Sequence, residues 1–188
     1  MDECNLPKIT WCKKCVLPSN AAITLVLDED GICSACKVQE QKKTIDWDER
    51  LSYLLDDIDQ YRKPSGYECI IGVSGGKDSY YQAHFVKEKL GLNPLLVTYN
   101  GNNYLDVGWK NLWKMKDVFN TDHFIFTPGT DTLKRINRLG FRKMGDMNWH
   151  NHAGIMTMPM KMAVKYNIPL VFWGEHGFTD MGGMHSMN

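Results

Sequence analysis

The sequence predicts a doubly wound α/β domain, a parallel sheet with helices on both faces, behind a small cysteine-marked module. Three observations predict it. From residue 67 onward, short apolar runs alternate with segments of helical periodicity. The first run leads directly into a glycine-rich turn, "SGGKDS", that opens a helix. Before residue 46 the periodicity is short and turn-rich, and four cysteines stand in two close pairs.

The elements follow in order. "IDWDERLSYLLDDIDQYR", residues 45–62, reads as a helix: Leu51, Leu54, Leu55, Ile58 and Tyr61 fall at helical spacing, with acids and Arg50 opposite. "KPSGY" then breaks the chain and marks the domain boundary. The organisation is thus a module over 1–45, a connecting helix and linker over 46–66, and an α/β domain over 67–188. "CIIGV" is the continuous apolar run of a buried parallel strand. "DSYYQAHFVKEKLG" is a helix ending at Gly91, a C-terminal cap position. "NPLLVTYN", "DHFIFTPG" and "IPLVFWGE" are the second, third and fourth strands. "YLDVGWKNLWKMKDVFN" and "TDTLKRINRLGFRKMG" are the helices between them. "HAGIMTMPMKMAVKYN" is a further helix, expected to bend or break at Pro159. Right-handed crossovers put helices on both faces.

Bulk composition narrows the class. The 188 residues suffice for one sizeable domain and a small appendage, and 43% apolar with 23% charged residues describes a soluble globular protein. The 22 basic and 22 acidic residues cancel, which counts against nucleic acid as a partner. No apolar run approaches the ~20 residues of a membrane span, so no membrane partner is expected. "MDECNLPKITWCKKC" lacks a signal-peptide core, which places the protein in the cytoplasm. In that reducing compartment the six cysteines are not a disulfide framework. Cys4 and Cys69 read as incidental, Cys69 as a small buried hydrophobe.

"SGGKDS" has the chemistry of a phosphate cradle. It stands at the carboxyl end of the first strand, where open α/β sheets bind ligands. Gly75 and Gly76 allow a tight turn and bring backbone N–H groups against an anion. The helix start adds unpaired donors and a positive dipole end. Ser74 and Ser79 add hydroxyls, Lys77 adds a charge, and Asp78 can cap the helix or hold Mg2+. The glycine spacing fits neither G-x-x-x-x-G-K-[ST] nor G-x-G-x-x-G.

The cysteines spell C-x2-C-x17-C-x2-C, from Cys12 and Cys15 to Cys33 and Cys36. Two chelating turns at this separation suit a closed tetrahedral zinc site, structural rather than catalytic. An iron–sulfur cluster accepts the same four thiolates. Either would supply folding free energy that so short a segment cannot draw from a core.

S-G-G-x-D-S resembles the PP-loop of the ATP pyrophosphatase superfamily, which grips the β,γ-pyrophosphate of ATP while the bond between the α and β phosphates is cleaved. A longer set of stretches narrows the resemblance: "CKKCVLPSNAAITLVLDEDGICSACKVQEQKKTIDWDER", "GVSGGKDSYYQ", "KEKLGLNPLLVTYN", "GWKNL" and "IPLVFWGE". Together they are similar to the N-acetyl sugar amidotransferases of bacterial surface-polysaccharide (O-antigen) biosynthesis. That resemblance implies adenylation of an N-acetyl amide oxygen on a sugar or sugar nucleotide, then attack by ammonia to give an acetamidino group. It implies ATP, Mg2+ and Zn2+ as cofactors, and an external glutaminase with an ammonia-channel partner. The absence of a cysteine in a nucleophile-elbow context fits ammonia from outside. Members of the family are about twice this length, so the chain is expected to be an N-terminal portion, a trimmed form or a naturally short product.

Further residues are weighed with this in view. Gly174 and Glu175, at the end of the fourth strand, face the same crevice as the loop; Gly174 permits close approach of a nucleotide, and Glu175 binds Mg2+ or substrate. Asp180 is a weaker Mg2+ candidate. Thr98, Tyr99 and Asn100, ending the second strand, are implied by the superfamily resemblance as nucleotide contacts, through backbone as much as side chain. Lys77, Asp78 and Glu175 form the expected catalytic set. His150 and His152 are two apart and cannot share a helix face as a metal pair; they read as a loop. The methionines of "IMTMPMKM" read as core filler. Two other readings stand beside the sugar enzyme. One is a tRNA-thiolating PP-loop enzyme, disfavoured by zero net charge and by Cys69 being the sole cysteine of the domain. The other is a nucleotide-binding assembly subunit without activity.

Overall fold

The computed structural model describes residues 8–21, 25–101 and 104–174. They divide into two compact units, one comprising the described residues up to Ser52 and one running Tyr53–Gly174.

The first unit is built around cysteines. Isolated antiparallel bridges, Trp11 with Pro18 and Leu27 with Cys33, close two tight turns. Gly31 takes φ +77°, a left-handed conformation that glycine adopts at little cost. Its carbonyl accepts from the Lys13 N–H at 3.0 Å, tying one turn to the other. Helix α1, Ser34–Lys42, starts from Cys33, whose sulfur accepts from the Cys36 N–H and so caps it. The core here is small: Cys12, Cys33 and Ala35 are buried, with Leu17, Leu25, Leu27, Cys15 and Cys36 packed against them. The sequence reading expected only turns there; α1 is an addition to it. Helix α2, Trp47–Asp59, leads into the second unit, and the Asp46 carboxylate accepts from the N–H groups of Asp48 and Glu49 at its start.

The second unit contains the sheet. Strand β1, Cys69–Gly72, is followed by α3, Lys77–His84, and a π-helical turn, Phe85–Lys89, with Gly91 at φ +64° ending the segment. Then come β2, Pro94–Tyr99; α4, Asp106–Phe119; β3, His123–Phe126; α5, Thr130–Met144; α6, Trp149–Tyr166; and β4, Leu170–Phe172. All pairings are parallel, in the order β3-β2-β1-β4. The sheet is therefore the expected parallel one. The winding runs from β1 to β3 in one direction and then returns to the other side of β1. Helix α3 packs against α4 and β1, and α5 packs against α6, which lies on β1, β2 and β4; with right-handed crossovers the reversal of winding puts these two pairs on opposite faces.

Apolar runs became strands because both faces are covered. Ile70, Ile71 and Leu96 are fully buried, and Ile70, Leu95, Val97, Met162, Ala163 and Ile168 form one cluster between sheet and α6. Each such side chain contributes roughly 1.5–3 kcal/mol. Cys69 is buried as expected, and burial pushes its thiol up to about 12. Glu68 is a buried acid with a reason: its carboxylate accepts from the N–H groups of Lys63 and Asn93, which ties the linker to the sheet.

Helix α6 departs from expectation. It begins earlier, at Trp149, so His150 lies in its first turn rather than in a loop. It also runs through Pro159 without a break. Pro159 is fully buried, and a side chain at Gly72 of β1 would start 3.3 Å from its ring. The ring sits where β1 has no side chain, and that packing offsets the missing N–H. Among the described residues no helix is long and apolar enough to cross a membrane.

Candidate functional site

Two sites emerge, one in each unit. In the first, the four sulfurs of Cys12, Cys15, Cys33 and Cys36 lie within 4.8 Å of one another. Cys12 and Cys36 are 3.9 Å apart, Cys15 and Cys33 3.6 Å. A tetrahedral zinc with bonds of about 2.3 Å needs sulfurs about 3.8 Å apart, so this donor set fits one zinc ion. A four-iron cluster would spread its thiolates further. Backbone N–H groups of Lys14 and Cys33 point at the Cys12 sulfur, both at 3.3 Å, in the manner of groups that orient a ligand. Burial pushes the Cys36 thiol up to about 12, and the neighbouring Cys15, Cys33 and Cys12 push the same way. Four sulfurs this close can ionise together only around a cation.

In the second unit, the glycine loop leaves β1 where the winding direction reverses, between β1 and β4. This is the switch point at which open α/β sheets bind ligands. Gly75 takes φ +79°, and a Cβ there would lie 2.9 Å from the Leu112 backbone of α4. Both facts demand glycine. Gly76 is the N-cap of α3 and offers no side chain of its own. Ser79 is buried, and its hydroxyl accepts from the Ser74 N–H at 2.9 Å and sits 3.2 Å from the Ser74 hydroxyl. The two serines thus brace the loop from within. Consecutive N–H groups from Gly75 to Ser79 meet no acceptor among the described residues. Lys77 and Asp78 are both well exposed and pair with each other at 2.7 Å. A phosphate can take the ammonium while a cation takes the carboxylate, without displacing any other described partner.

The remaining candidates are distributed around that edge. Gly174 follows β4 and lies against α3, where a side chain would start 2.8 Å from the Gln82 carboxamide oxygen. Thr98 is buried, and its hydroxyl donates to the Val73 carbonyl at 2.6 Å, turned into the sheet rather than toward ligand. The Tyr99 ring stacks on Phe126 and lies against the backbone of α6 at Gly154, with its hydroxyl 3.4 Å from His150 Nδ1. Asn100 is buried; its amide group donates to the Thr127 hydroxyl at 3.1 Å, while Oδ1 has no partner among the described residues. Glu175 and Asp180 lie outside the described residues.

Sequence reasoning missed two features. His150 and Asn151, in the first turn of α6, are buried beside Tyr99 and Gly101, and Asn151 Oδ1 lacks a partner, as Asn100 Oδ1 does. Beside Gly174, Gln82 Nε2 is a buried donor without an acceptor among the described residues. Buried polar atoms are normally satisfied, so their gathering at the carboxyl edge of the sheet marks that edge as unusual. The only signal in the sequence was the polar density of "VTYNGNN" and "NWHNH".

Comparison with known proteins adds little. No family model matches the chain, and no curated protein matches it. Among solved structures it is similar to the NH3-dependent NAD synthetase from Campylobacter jejuni subsp. jejuni NCTC 11168 in complex with the nitrate ion. The two are 17% identical, the likeness covers 67% of this chain and 56% of that one, and the TM-score is 0.46. The chain thus spans little more than half the length of that enzyme. A likeness at this level carries neither substrate nor mechanism.

Proposed function

We propose that the glycine loop is a PP-loop and that the chain belongs to an ATP-dependent amidotransferase acting on an N-acetylated sugar or sugar nucleotide. The observation that carries the first part is the row of unpartnered N–H groups from Gly75 to Ser79 at the switch point of a parallel sheet. The second part rests on the sequence resemblance. ATP would lie with its terminal phosphates on these N–H groups and on Lys77, with Asp78 and Glu175 holding Mg2+. That ion, when bound, screens the phosphate charge. Gly174 would allow the nucleotide close approach, and Thr98, Tyr99 and Asn100 would border it, chiefly through the backbone.

The amide oxygen of the acetamido group attacks the α-phosphorus, and pyrophosphate leaves. Ammonia adds to the resulting imidate carbon, and the C–O bond breaks to release AMP and leave the acetamidino group. Adenylation matters because an amide oxygen is otherwise a very poor leaving group. Ammonia would come from a glutaminase through a channel partner. The zinc site holds the first unit together and takes no part in this chemistry.

The test is product analysis. With Mg-ATP, ammonium and an N-acetylated sugar nucleotide, AMP and pyrophosphate are expected; ADP and phosphate would refute the mechanism. Lys77→Ala should weaken Mg-ATP binding about tenfold with the melting temperature unchanged, because its side chain is 88% exposed. One observation favours a second reading, an RNA substrate. Lys134, Arg135, Arg138 and Arg142 form an exposed basic ridge on α5, with Lys143 beside it. Salt-sensitive binding of tRNA, with no turnover of sugar nucleotides, would support that reading instead.

A further inference from the structure

Beneath the glycine loop, side chains join three strands in a line. The Thr98 hydroxyl of β2 donates to the Val73 carbonyl at 2.6 Å, and His123 Nε2 of β3 lies 2.9 Å from that same hydroxyl oxygen. A threonine hydroxyl has one proton, and here it is committed to the carbonyl. His123 Nε2 must then be the donor, which assigns the tautomer: the proton on Nε2 and a free lone pair on Nδ1. Nδ1 is buried and has no partner among the described residues.

The position of Val73 gives this line its meaning. β1 ends at Gly72, and the Val73 N–H still donates to the Val97 carbonyl at 3.0 Å. Its own carbonyl receives no backbone N–H among the described residues. The main chain is parting from β2 at this peptide, and the Thr98 side chain spans the gap. The next residue is Ser74, the first of the loop. The far side of the loop is fixed by Gly75 against Leu112 and by Ser79 on the Ser74 N–H. The Val73 carbonyl is the remaining anchor, and it hangs on Thr98 and His123.

We propose that His123 and Thr98 are positioning residues for the glycine loop, fixing the peptide from which it departs and so the direction of its N–H groups. Neither side chain touches the ligand; both act through Val73. The inference rests on the reading of the loop as phosphate-binding only for its functional consequence.

The test uses isosteric and conservative variants of the full chain. Thr98→Val keeps the shape and removes the hydroxyl. It should speed amide hydrogen exchange at Val73 and Ser74, whose N–H groups are bonded to Val97 and Ser79, about tenfold and weaken Mg-ATP binding about tenfold. Thr98→Ser restores the hydroxyl and should return both to near wild type. His123→Gln, which keeps a donor, should lie close to wild type, and His123→Leu close to Thr98→Val. A folded Thr98→Val or His123→Leu protein with wild-type exchange at the loop overturns the proposal. If Thr98→Val fails to fold, the pair His123→Gln and His123→Leu makes the same comparison. If the wild type does not bind Mg-ATP, the proposed activity falls, and the exchange data still decide whether the line of hydrogen bonds anchors the loop.

Discussion

The cysteine unit and the α/β unit solve the same problem by opposite means. The first has few buried apolar side chains and sets four thiols at its centre. The second buries whole strands, with Ile70, Ile71 and Leu96 fully enclosed. A segment of this size cannot bury enough area to offset the entropy of ordering it, and its four cysteines form a donor set that fits a cation able to supply the difference. A sheet covered on both faces needs no such help. The two units therefore spend their special residues differently. In the first, the chemistry-bearing side chains are the structure. In the second they stand apart from the core: among the described residues, Lys77 and Asp78 are exposed and bonded only to each other.

The largest test of this contrast is metal removal. Structural zinc sites contribute on the order of 10 kcal/mol to folding, so a strong chelator, or Cys33→Ser, should unfold the residues before Ser52. Limited proteolysis should then cut there while the unit from Tyr53 stays protected. Equal loss of both would show that the second unit depends on the first.

A smaller effect is expected from Gly75→Ala. Its φ of +79° and the 2.9 Å approach of the Leu112 backbone together predict a loss of about 1–3 kcal/mol, read as a lower urea midpoint, with Mg-ATP binding abolished. Gly76→Ala, at negative φ and with no Cβ contact closer than 3.6 Å, should cost far less stability. If the two variants were equally stable, the strain assigned to Gly75 would be wrong.

The smallest effect is a pH dependence. Burial lowers the His123 imidazole from the usual 6.5 to about 4. Above about pH 6.5 the ring is neutral in both folded and unfolded chains and costs nothing. As pH falls from there toward 4, the unfolded chain takes up a proton that the folded one refuses, so stability declines across that window. Asp122, Lys116, Tyr67 and Tyr166 line the same recess, and the Tyr67 hydroxyl donates to Asp122. The difference in urea midpoint between pH 7.5 and pH 5 should shrink in His123→Gln. An unchanged difference would assign the pH dependence to the neighbours.

The strands and the glycine loop were legible because their signals are local. "CIIGV" and "PLLVTY" are apolar without interruption, and "SGGKDS" compresses its chemistry into six neighbouring positions. The cysteine spacing was legible for the same reason, since each pair lies within one turn. What could not be read were contacts between distant segments. Pro159 reads as a helix break until Gly72 of β1 is seen to make room for it. The Thr98 hydroxyl is seen to serve Val73 and His123 only once the strands are paired, which leaves its backbone for the expected nucleotide contact. His150 and Asn151 read as loop residues until α6 is seen to begin at Trp149 and bury them against Tyr99.

The sequence by itself determined the class of fold, the paired-cysteine pattern of Cys12, Cys15, Cys33 and Cys36, and the glycine-rich turn that opens α3. Each follows from residue types at short fixed spacings, which dictate local geometry whatever surrounds them. Only the tertiary structure decided that β4 lies beside β1, that the loop opens at the switch point between them, and that the four sulfurs close around one ion's volume. Only it could show which polar side chains face the ligand edge and which are consumed in holding it. Those outcomes depend on pairings between strands and turns far apart in the chain, where apolar burial, rather than local preference, selects the partner.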